Sequence, residues 1–339
     1  MPASHQPDIG RLFPVNPNAT QSSLTAVFKR CLPMMALLCL PLLTPPALAE
    51  KTEPSANHSS PESSLRLISY NIRCGYCEPV GSPHHWDTRK FLLAHQLKLL
   101  QPDLIALQEA EHFQITELSR LLPEYRWYGV GRDDGKQQGE ATAVLYRHNK
   151  LALLQAQTLW LSPTPQQVSK GWGAQINRTL TLTRFRQLAA TTSDTGTANK
   201  DPEFFLLNTH FDHQSDESRR QSAALILRQA AQLPSGLPLL LAGDLNLTSQ
   251  HPAYQLLSSQ LQDAALLPAP ANAQPATAAS LSTFNGFGQD YAKGAGKIDF
   301  IFVRGPLKVN RHFIEQRRDQ GLFPSDHDPV IVDFQLNPL

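Results

Sequence analysis

The sequence predicts a mixed α/β sandwich in which strands outnumber helices. Of its 339 residues, 41% are hydrophobic and 17% are charged, which supports a large core and excludes a wholly disordered chain. Helix-like segments do not follow every strand-like segment, and the chain has no internal repeat. A regular parallel winding of β and α units is therefore not expected.

The first 49 residues predict an export signal. The basic pair Lys29-Arg30 precedes an apolar run at 31–43, and a small-x-small cleavage site ends at Ala49. Removal of 1–49 would take away three basic residues and one acidic residue, which leaves 27 and 28 and a net charge of −1. We therefore expect a periplasmic or secreted protein, with a membrane-anchoring helix as the less favoured alternative.

Residues 50–64 are rich in Ser, Pro, Glu and Asn and predict a disordered linker, so the folded domain is expected over 65–339. Apolar residues at helical spacing predict three helices, of which the first ends before Pro102. The predicted helices are 86–100, 112–122 and 216–232. Short apolar runs between them predict strands at 65–71, 104–107, 125–130, 141–146, 152–161, 178–186, 204–208, 237–242, 298–303 and 330–334. Two stretches rich in small, polar or Pro residues, 189–202 and 264–282, predict surface loops.

Two cysteines, Cys74 and Cys77, lie beyond the predicted signal and form the sequence C-G-Y-C. A single C-x-x-C without a second pair is weak evidence for a zinc site. In an oxidising compartment the pair can close a small disulfide loop. Two free thiols are the alternative.

Polar side chains follow the C-terminal ends of several predicted strands, or lie beside the last ones. Alone, a Glu or a His after a strand usually caps a helix or faces solvent. Here six such groups occur in one chain, and they need a common explanation. The groups are Asn71, Gln108-Glu109, Asn208-Thr209-His210, the segment 243–246, Asp299 and Ser325-Asp326-His327.

A hydrolytic metal site explains these groups together. Glu109, Asn71 and Asp326 supply the carboxylate and amide oxygens that a hard cation such as Mg²⁺ prefers, and Mn²⁺ or Ca²⁺ are alternatives. Attack of water on phosphorus needs a base with a pKa near neutrality, and a His oriented by a carboxylate serves this purpose. His327 with Asp299 fits that description.

The same residues lie in a series of short motifs that resembles the endonuclease/exonuclease/phosphatase superfamily, which includes pancreatic deoxyribonuclease, apurinic endonucleases, inositol polyphosphate phosphatases and neutral sphingomyelinases. The motifs occur in the family's order and cover Leu65 to Phe334, almost the whole chain beyond the signal. They are S-Y-N-I at 69–72, P-D-L-I-A-L-Q-E at 102–109, G-E-A-T-A-V-L-Y-R at 139–147, N-T-H at 208–210, G-D-L-N at 243–246, K-I-D-F-I-F-V at 297–303 and S-D-H-D-P-V at 325–330.

This resemblance implies a four-layer α/β/β/α sandwich, in which helices flank two packed mixed sheets and the site lies at one end. It also implies roles for the metal ligands and the base. Glu109 would be the principal metal ligand with Asn71 beside it, and Asp326 would complete the metal shell. His327 would be the general base, oriented by Asp299.

Four further residues receive roles from the same resemblance. Asp244 and Asn246 would position the attacking water and bind the pentavalent phosphorane. His210 would donate to a non-bridging or leaving oxygen. Glu140 matches the carboxylate that pairs with this histidine in pancreatic deoxyribonuclease.

A narrower resemblance, to a bacterial branch of metal-dependent hydrolases, rests on four segments: 131–136, 171–172, 209–213 with Arg219 after it, and 283–287. Asp212 and His213 would then extend the site; a local cap for the next helix is the equal alternative. Arg132 and Lys136 are either contacts for a substrate phosphate or solvated turn charges.

The sequence thus predicts an exported, metal-dependent phosphoesterase that acts by in-line attack of a His-activated water. The substrate is a phosphate ester, either a small molecule, a lipid-linked phosphate or nucleic acid, and no stable protein partner is implied, so a monomer is expected. The near-neutral charge disfavours tight binding to long duplexes. A non-specific extracellular nuclease and a non-catalytic binding protein on the same fold are the alternatives.

Overall fold

The computed structural model describes residues 64–189, 201–268, 282–289, 296–316, 318 and 321–337. The predicted signal lies outside the described residues, and so does the predicted linker except for Ser64, which begins the first strand. Most of the two predicted surface loops also lies outside them. Within the described part of the chain, no helix is long and apolar enough to cross a membrane.

Two six-stranded sheets form the centre of the described domain. The first has the order β11-β12-β1-β2-β4-β3, with β1 Ser64–Asn71, β2 Leu104–Gln108, β3 Tyr125–Tyr128, β4 Val144–Arg147, β11 Leu307–Ile314 and β12 Val330–Leu336. The second has the order β5-β6-β7-β8-β10-β9, with β5 Leu151–Trp160, β6 Thr179–Gln187, β7 Glu203–His210, β8 Leu239–Asp244, β9 Gln262–Asp263 and β10 Asp299–Arg304. The pairs β1/β2 and β7/β8 are parallel and the other pairs antiparallel, so both sheets are mixed.

Helices cover the outer face of each sheet. They are α1 Trp86–Leu100, α2 His112–Leu121, α3 Asp216–Gln232 and α4 Pro252–Ser258. α1 and α2 share a buried cluster with the first sheet, and α3 and α4 share one with the second. A third cluster fills the space between the sheets. The four-layer α/β/β/α sandwich is therefore confirmed.

Alternation along β1 shows how the sequence builds two of these layers. Leu65 and Leu67 belong to the cluster between the sheets, whereas Ile68 and Tyr70 belong to the cluster under the helices. Successive side chains of a strand point to opposite faces, so a strand buried on both faces becomes apolar throughout. This explains why the central strands were visible as short apolar runs.

Three elements have no counterpart in the sequence analysis: α4, β9 and β11. α4 has seven residues, too few for a helical period, and it begins at a proline behind the cap His251. β11 lies at a sheet edge with an irregular register between Val309 and Arg311, so its side chains are mostly half-exposed. A short helix such as α4 and an edge strand such as β11 do not show a strong periodic pattern of apolar residues.

Strand direction brings the predicted site residues to one end of the sandwich. The parallel register places Asn71 opposite Gln108 in one sheet and His210 opposite Asp244 in the other. The antiparallel strand β10 begins at the same end, where Asp299 pairs with Asp244. The two sheets thus present their polar ends at a common edge.

Candidate active site

Glu109 and Asn71 lie at the centre of the site. Glu109 follows β2 in a left-handed conformation (φ 57°), and its two carboxylate oxygens accept hydrogen bonds from Asn71 Nδ2 at 2.9 Å and from the Cys74 amide at 3.1 Å. Asn71 Nδ2 also donates to Asp244 Oδ2 at 2.9 Å, while Asn71 Oδ1 accepts from the Arg73 amide at 3.0 Å. Asn71 therefore links two carboxylates through its N–H groups. Its predicted role as an oxygen ligand of a metal stays a prediction.

The pKa values of the site's carboxylates are shifted in different directions. Burial and the nearby charge of Asp299 raise the pKa of Asp244 to about 7, and burial also raises the pKa of Asp326. Desolvation acts on Glu109 in the same direction, but the Asn71 hydrogen bond and the charge of His327 outweigh it, so the pKa of Glu109 is lowered. Crowded carboxylates that resist ionisation fit a site for a hard divalent cation, whose charge would relieve their repulsion.

His327 and Asp299 form a buried pair beside these carboxylates. His327 Nδ1 lies 2.9 Å from Asp299 Oδ2, which assigns the ring proton to Nδ1 and leaves Nε2 facing Asp244 Oδ2 at 3.7 Å. The ring of Phe284 packs edge-on against the imidazole at 5.1 Å. Burial alone would lower the pKa of His327, but the charges of Asp299 and Asp244 raise it well above its ordinary value. The predicted base and its orienting carboxylate are thus brought together.

Asp244, Asp299 and His327 also place one ligand atom each within 4.8 Å of one another, a spacing that a metal ion could use. The direct 2.9 Å contact between His327 and Asp299 favours an acid–base pair, because a shared cation would have to separate these atoms. Asp244, Asp299 and His327 nevertheless form a cluster of acidic and histidine side chains that could hold a divalent ion. Glu109 and Asp326, which also line the cavity, are the better oxygen donors.

His210 is the second histidine of the site, and its Nε2, like that of His327, approaches Asp244 Oδ2. Its Nδ1 contacts Arg178 Nη1 at 3.0 Å, and because a guanidinium only donates, Nδ1 must be the acceptor and Nε2 carries the proton. Nε2 lies 3.5 Å from Asp244 Oδ2. It also lies 3.0 Å from Asn246 Nδ2, a second donor that bonds to the Phe211 carbonyl, so these two nitrogens do not hydrogen-bond to each other in this tautomer. Burial and the charge of Arg178 hold the pKa of His210 well below its ordinary value. The ring is therefore a neutral donor, as its predicted role requires.

The predicted pairing of Glu140 with His210 is wrong. Both carboxylate oxygens of Glu140 accept from the guanidinium of Arg132, whose backbone N–H also donates to the Glu140 carbonyl. Arg178 occupies the His210 nitrogen that Glu140 would have needed. Burial and the charge of Glu109 raise the pKa of Glu140 to about 7. Arg132 is therefore ion-paired with Glu140 at the rim of the site and is not a freely solvated charge.

Arg178 is a site residue that the sequence analysis missed, because it was assigned only to a strand. It is buried just before β6, and its two Nη atoms contact His210 and His213 at 3.0 Å each. Asp212 accepts from the Gln214 and Ser215 amides, so it caps the chain locally. Of the two alternatives for this segment, Asp212 therefore follows the local one, while His213 lines the cavity.

Arg89 is a second missed residue. It is fully buried in α1 and donates to five backbone carbonyls, those of Ile72, Arg73, Cys74, His84 and Pro324. Burial lowers its pKa to about 10 against the opposing charge of Asp326. Arg89 thus ties the backbone after β1 to the backbone before Asp326. A basic residue at an otherwise apolar helix position, four before Leu93, was the available signal.

Two predicted polar residues have a structural role instead. Gln108 Nε2 donates to Asn208 Oδ1 at 2.7 Å, and Asn208 Nδ2 donates to the carbonyls of Leu107 and Ala143. Both side chains are fully buried. They hydrogen-bond to one another across the two sheets beneath the site, and Gln108 Oε1 is left without a partner among the described residues.

A cavity of about 350 Å³ opens at this end of the sandwich. Acidic groups and basic groups both line it. The acidic ones are Glu109, Glu140, Asp244 and Asp326, and the basic or imidazole ones are Arg73, Arg178, His210, His213 and His327. Such a cavity can hold a cation and a small anionic ester side by side.

Comparison with known proteins agrees with this geometry. Residues 68–327 match the endonuclease/exonuclease/phosphatase family. A solved endonuclease/exonuclease/phosphatase from Bacteroides vulgatus is 33% identical, and the likeness covers 81% of this chain and 99% of that one with a TM-score of 0.70. A mannosyl-6-phosphatase from Bacteroides thetaiotaomicron is 30% identical, with 80% and 99% covered and a TM-score of 0.67. An uncharacterized protein of Acanthamoeba polyphaga mimivirus is 26% identical over 189 residues, which are 54% of this chain and 67% of that protein. The chain belongs to the endonuclease/exonuclease/phosphatase family, whose members are hydrolases of phosphate esters.

Proposed function

We propose that this protein is a divalent-metal-dependent phosphoesterase that hydrolyses small phosphomonoesters. The observation that carries the proposal is the buried His327–Asp299 pair, whose Nε2 lies 3.7 Å from Asp244 Oδ2. A base, an orienting carboxylate and a carboxylate able to hold water are the groups that an attacking water needs.

Glu109 and Asp326 would hold the cation with Asn71 beside them, and the bound cation would supply Lewis-acid polarisation of the phosphoryl group. Asp244 and His327 would orient the attacking water, and His327 Nε2 would accept its proton as the bond to phosphorus forms.

Other residues that line the cavity would serve the phosphoryl oxygens. Because its Nδ1 accepts from Arg178, His210 carries its proton on Nε2 and would donate to an oxygen that gains charge in the transition state. The buried charge of Arg178 stabilises the same negative charge through the His210 ring. Displacement would be in line, with water and leaving alcohol on opposite sides of phosphorus.

Two observations favour a small substrate over a polynucleotide. The cavity volume of about 350 Å³ suits a compact ester, and the net charge of −1 beyond the predicted signal gives no basic track for a long phosphate backbone. The mannosyl-6-phosphatase likeness points the same way. A non-specific nuclease remains the alternative. A non-catalytic binding protein is disfavoured because it would have no need for both the metal donors and the oriented base.

The test is turnover of a substrate panel: hexose phosphates, p-nitrophenyl phosphate, bis-p-nitrophenyl phosphate and single-stranded DNA, with Mg²⁺, Mn²⁺ or Ca²⁺. We expect monoester hydrolysis that EDTA abolishes and that His327→Ala reduces. Hydrolysis of DNA and of the diester alone would support the nuclease. Binding of phosphate esters without any turnover would support the binding protein.

We also propose that the protein is a monomer of an exported bacterial branch of the family. The basic pair, the apolar run and the cleavage site before residue 50 support export. Monomeric function is supported by the site itself, because every group invoked above comes from one chain.

A further inference from the structure

The turn after β1 carries a cysteine pair at the wall of the catalytic cavity. Cys74 and Cys77 form a disulfide with a Cα–Cα distance of 5.4 Å. Cys74 is buried, whereas Cys77 is exposed and lines the cavity. The pair is therefore accessible to a small reductant, and it has no part in the mechanism proposed above.

Contacts other than the disulfide hold the backbone of this turn. The Cys74 amide donates to Glu109 at 3.1 Å and the Gly75 amide to Glu111 at 2.9 Å. Arg89 donates to the Cys74 carbonyl at 3.2 Å. Reduction would release the two sulfur atoms while these contacts continue to hold the turn.

The released sulfurs would lie beside a carboxylate. The two Sγ atoms and a carboxylate oxygen of Glu109 all lie within 4.8 Å of one another. Tetrahedral zinc takes thiolate ligands at about 2.3 Å, which separates two sulfurs by roughly 3.8 Å. A C-x-x-C turn with a Cα–Cα distance of 5.4 Å allows this separation by side-chain rotation. A cavity water would be the fourth ligand.

We propose that the reduced turn is a second metal site, in which Cys74, Cys77 and Glu109 bind a thiophilic divalent cation such as Zn²⁺. A dithiol reductant transfers two electrons and two protons to the disulfide and becomes a disulfide itself. Zinc then displaces the two thiol protons to solvent as both Zn–S bonds form. Because Glu109 cannot serve both cations, zinc at this site inhibits hydrolysis. The inhibition rests on the proposed function, whereas the zinc binding does not.

The experiment compares oxidised protein with protein that has been reduced by dithiothreitol and desalted without oxygen. Co²⁺ is the spectroscopic probe, since only thiolate ligation gives a near-ultraviolet charge-transfer band. Zinc affinity is measured by competition with a chromophoric chelator. We expect the band in the reduced protein only, and zinc bound on the order of 100-fold more tightly by the reduced protein than by the oxidised protein. The double variant Cys74→Ser/Cys77→Ser should show neither, and Glu109→Gln should weaken zinc binding while the band remains.

Equal zinc affinity in both redox states, or a reduced protein without the Co²⁺ band, would overturn the site. Circular dichroism of the reduced protein accompanies the measurement, and loss of the fold on reduction would overturn it as well. A band in a protein that hydrolyses no phosphate ester would refute the proposed function and leave the metal site standing. Hydrolysis that zinc does not inhibit, in reduced protein that shows the band, would refute the competition for Glu109.

Discussion

Replacement of His327 by alanine is the sharpest test of the proposed chemistry. The variant loses the one imidazole whose Nδ1 is held by a carboxylate, at 2.9 Å from Asp299, and whose Nε2 faces the cavity. A positioned general base contributes about 10²–10⁴-fold to turnover, which corresponds to roughly 3 to 5 kcal/mol in the barrier. Since the pair is almost fully buried and its ring orientation is fixed, we expect the loss to lie in the upper part of this range.

Loss of Asp299 should reduce turnover by no more than loss of His327. Asp299 touches the reacting water only through His327, so Asp299→Asn should cost no more than His327→Ala. The double variant His327→Ala/Asp299→Asn should be about as slow as His327→Ala alone, because the two residues act as one unit. Additive losses would mean that Asp299 has a separate function, such as metal binding.

The assay is the pH dependence of kcat/KM for a phosphomonoester with saturating Mg²⁺. A base must be unprotonated, so the rate falls as pH decreases through the pKa of His327, and this acidic limb should vanish in His327→Ala. His210→Ala is the matched control: it should also be slow, through loss of a transition-state hydrogen bond, but it should keep the limb. Normal turnover of His327→Ala with an unchanged acidic limb would refute the mechanism even though the fold is right.

Three further predictions concern the metal, stability and export. Glu109→Gln should abolish most metal-dependent activity, because an amide replaces the anionic ligand; wild-type Mg²⁺ titrations and turnover would contradict it. Burial lowers the pKa of His312 to about 4, so the unfolded chain binds more protons between about pH 4 and 6.5, and stability should fall by roughly 3 kcal/mol as pH decreases through that window. His312→Leu should remove this loss in urea unfolding at pH 4 to 7, and an identical pH dependence in both proteins would exclude it. N-terminal sequencing from the producing cell should find residues 1–49 absent; a mature protein that begins near Met1 would contradict export.

The sequence predicted most of the site because its residues follow strands that are individually recognisable. Asn71, Glu109, His210 and Asp244 each come at or just after the end of an apolar run, and parallel strands place such ends at one edge. The motif order then joined them to Asp299 on a strand that runs the other way. The apolar runs located these positions and the family resemblance proposed their roles, so no long-range contact had to be known.

The sequence could not predict which buried charged residues would pair with one another. Glu140 and His210 are both where the resemblance placed them, yet Glu140 binds Arg132 and His210 binds Arg178. Such choices depend on which guanidinium reaches a given atom across two sheets, and no local pattern encodes that distance. Arg89 differs, because a basic residue on the apolar side of a helix already suggests a buried partner.

The site contains a group of carboxylates that favours a cation and a buried arginine that favours an anion. Burial, together with the charges of neighbouring carboxylates, raises the pKa values of Asp244 and Asp326 and so disfavours their anionic forms. Burial and the charge of Arg178 hold the pKa of His210 well below its ordinary value, so this ring, 3.5 Å from Asp244 Oδ2, is neutral. A cation would relieve the repulsion among the carboxylates and an anion would compensate the buried charge of Arg178, and these residues line one cavity. Each ligand would therefore improve the field that the other meets, so metal and phosphate ester should bind with positive coupling.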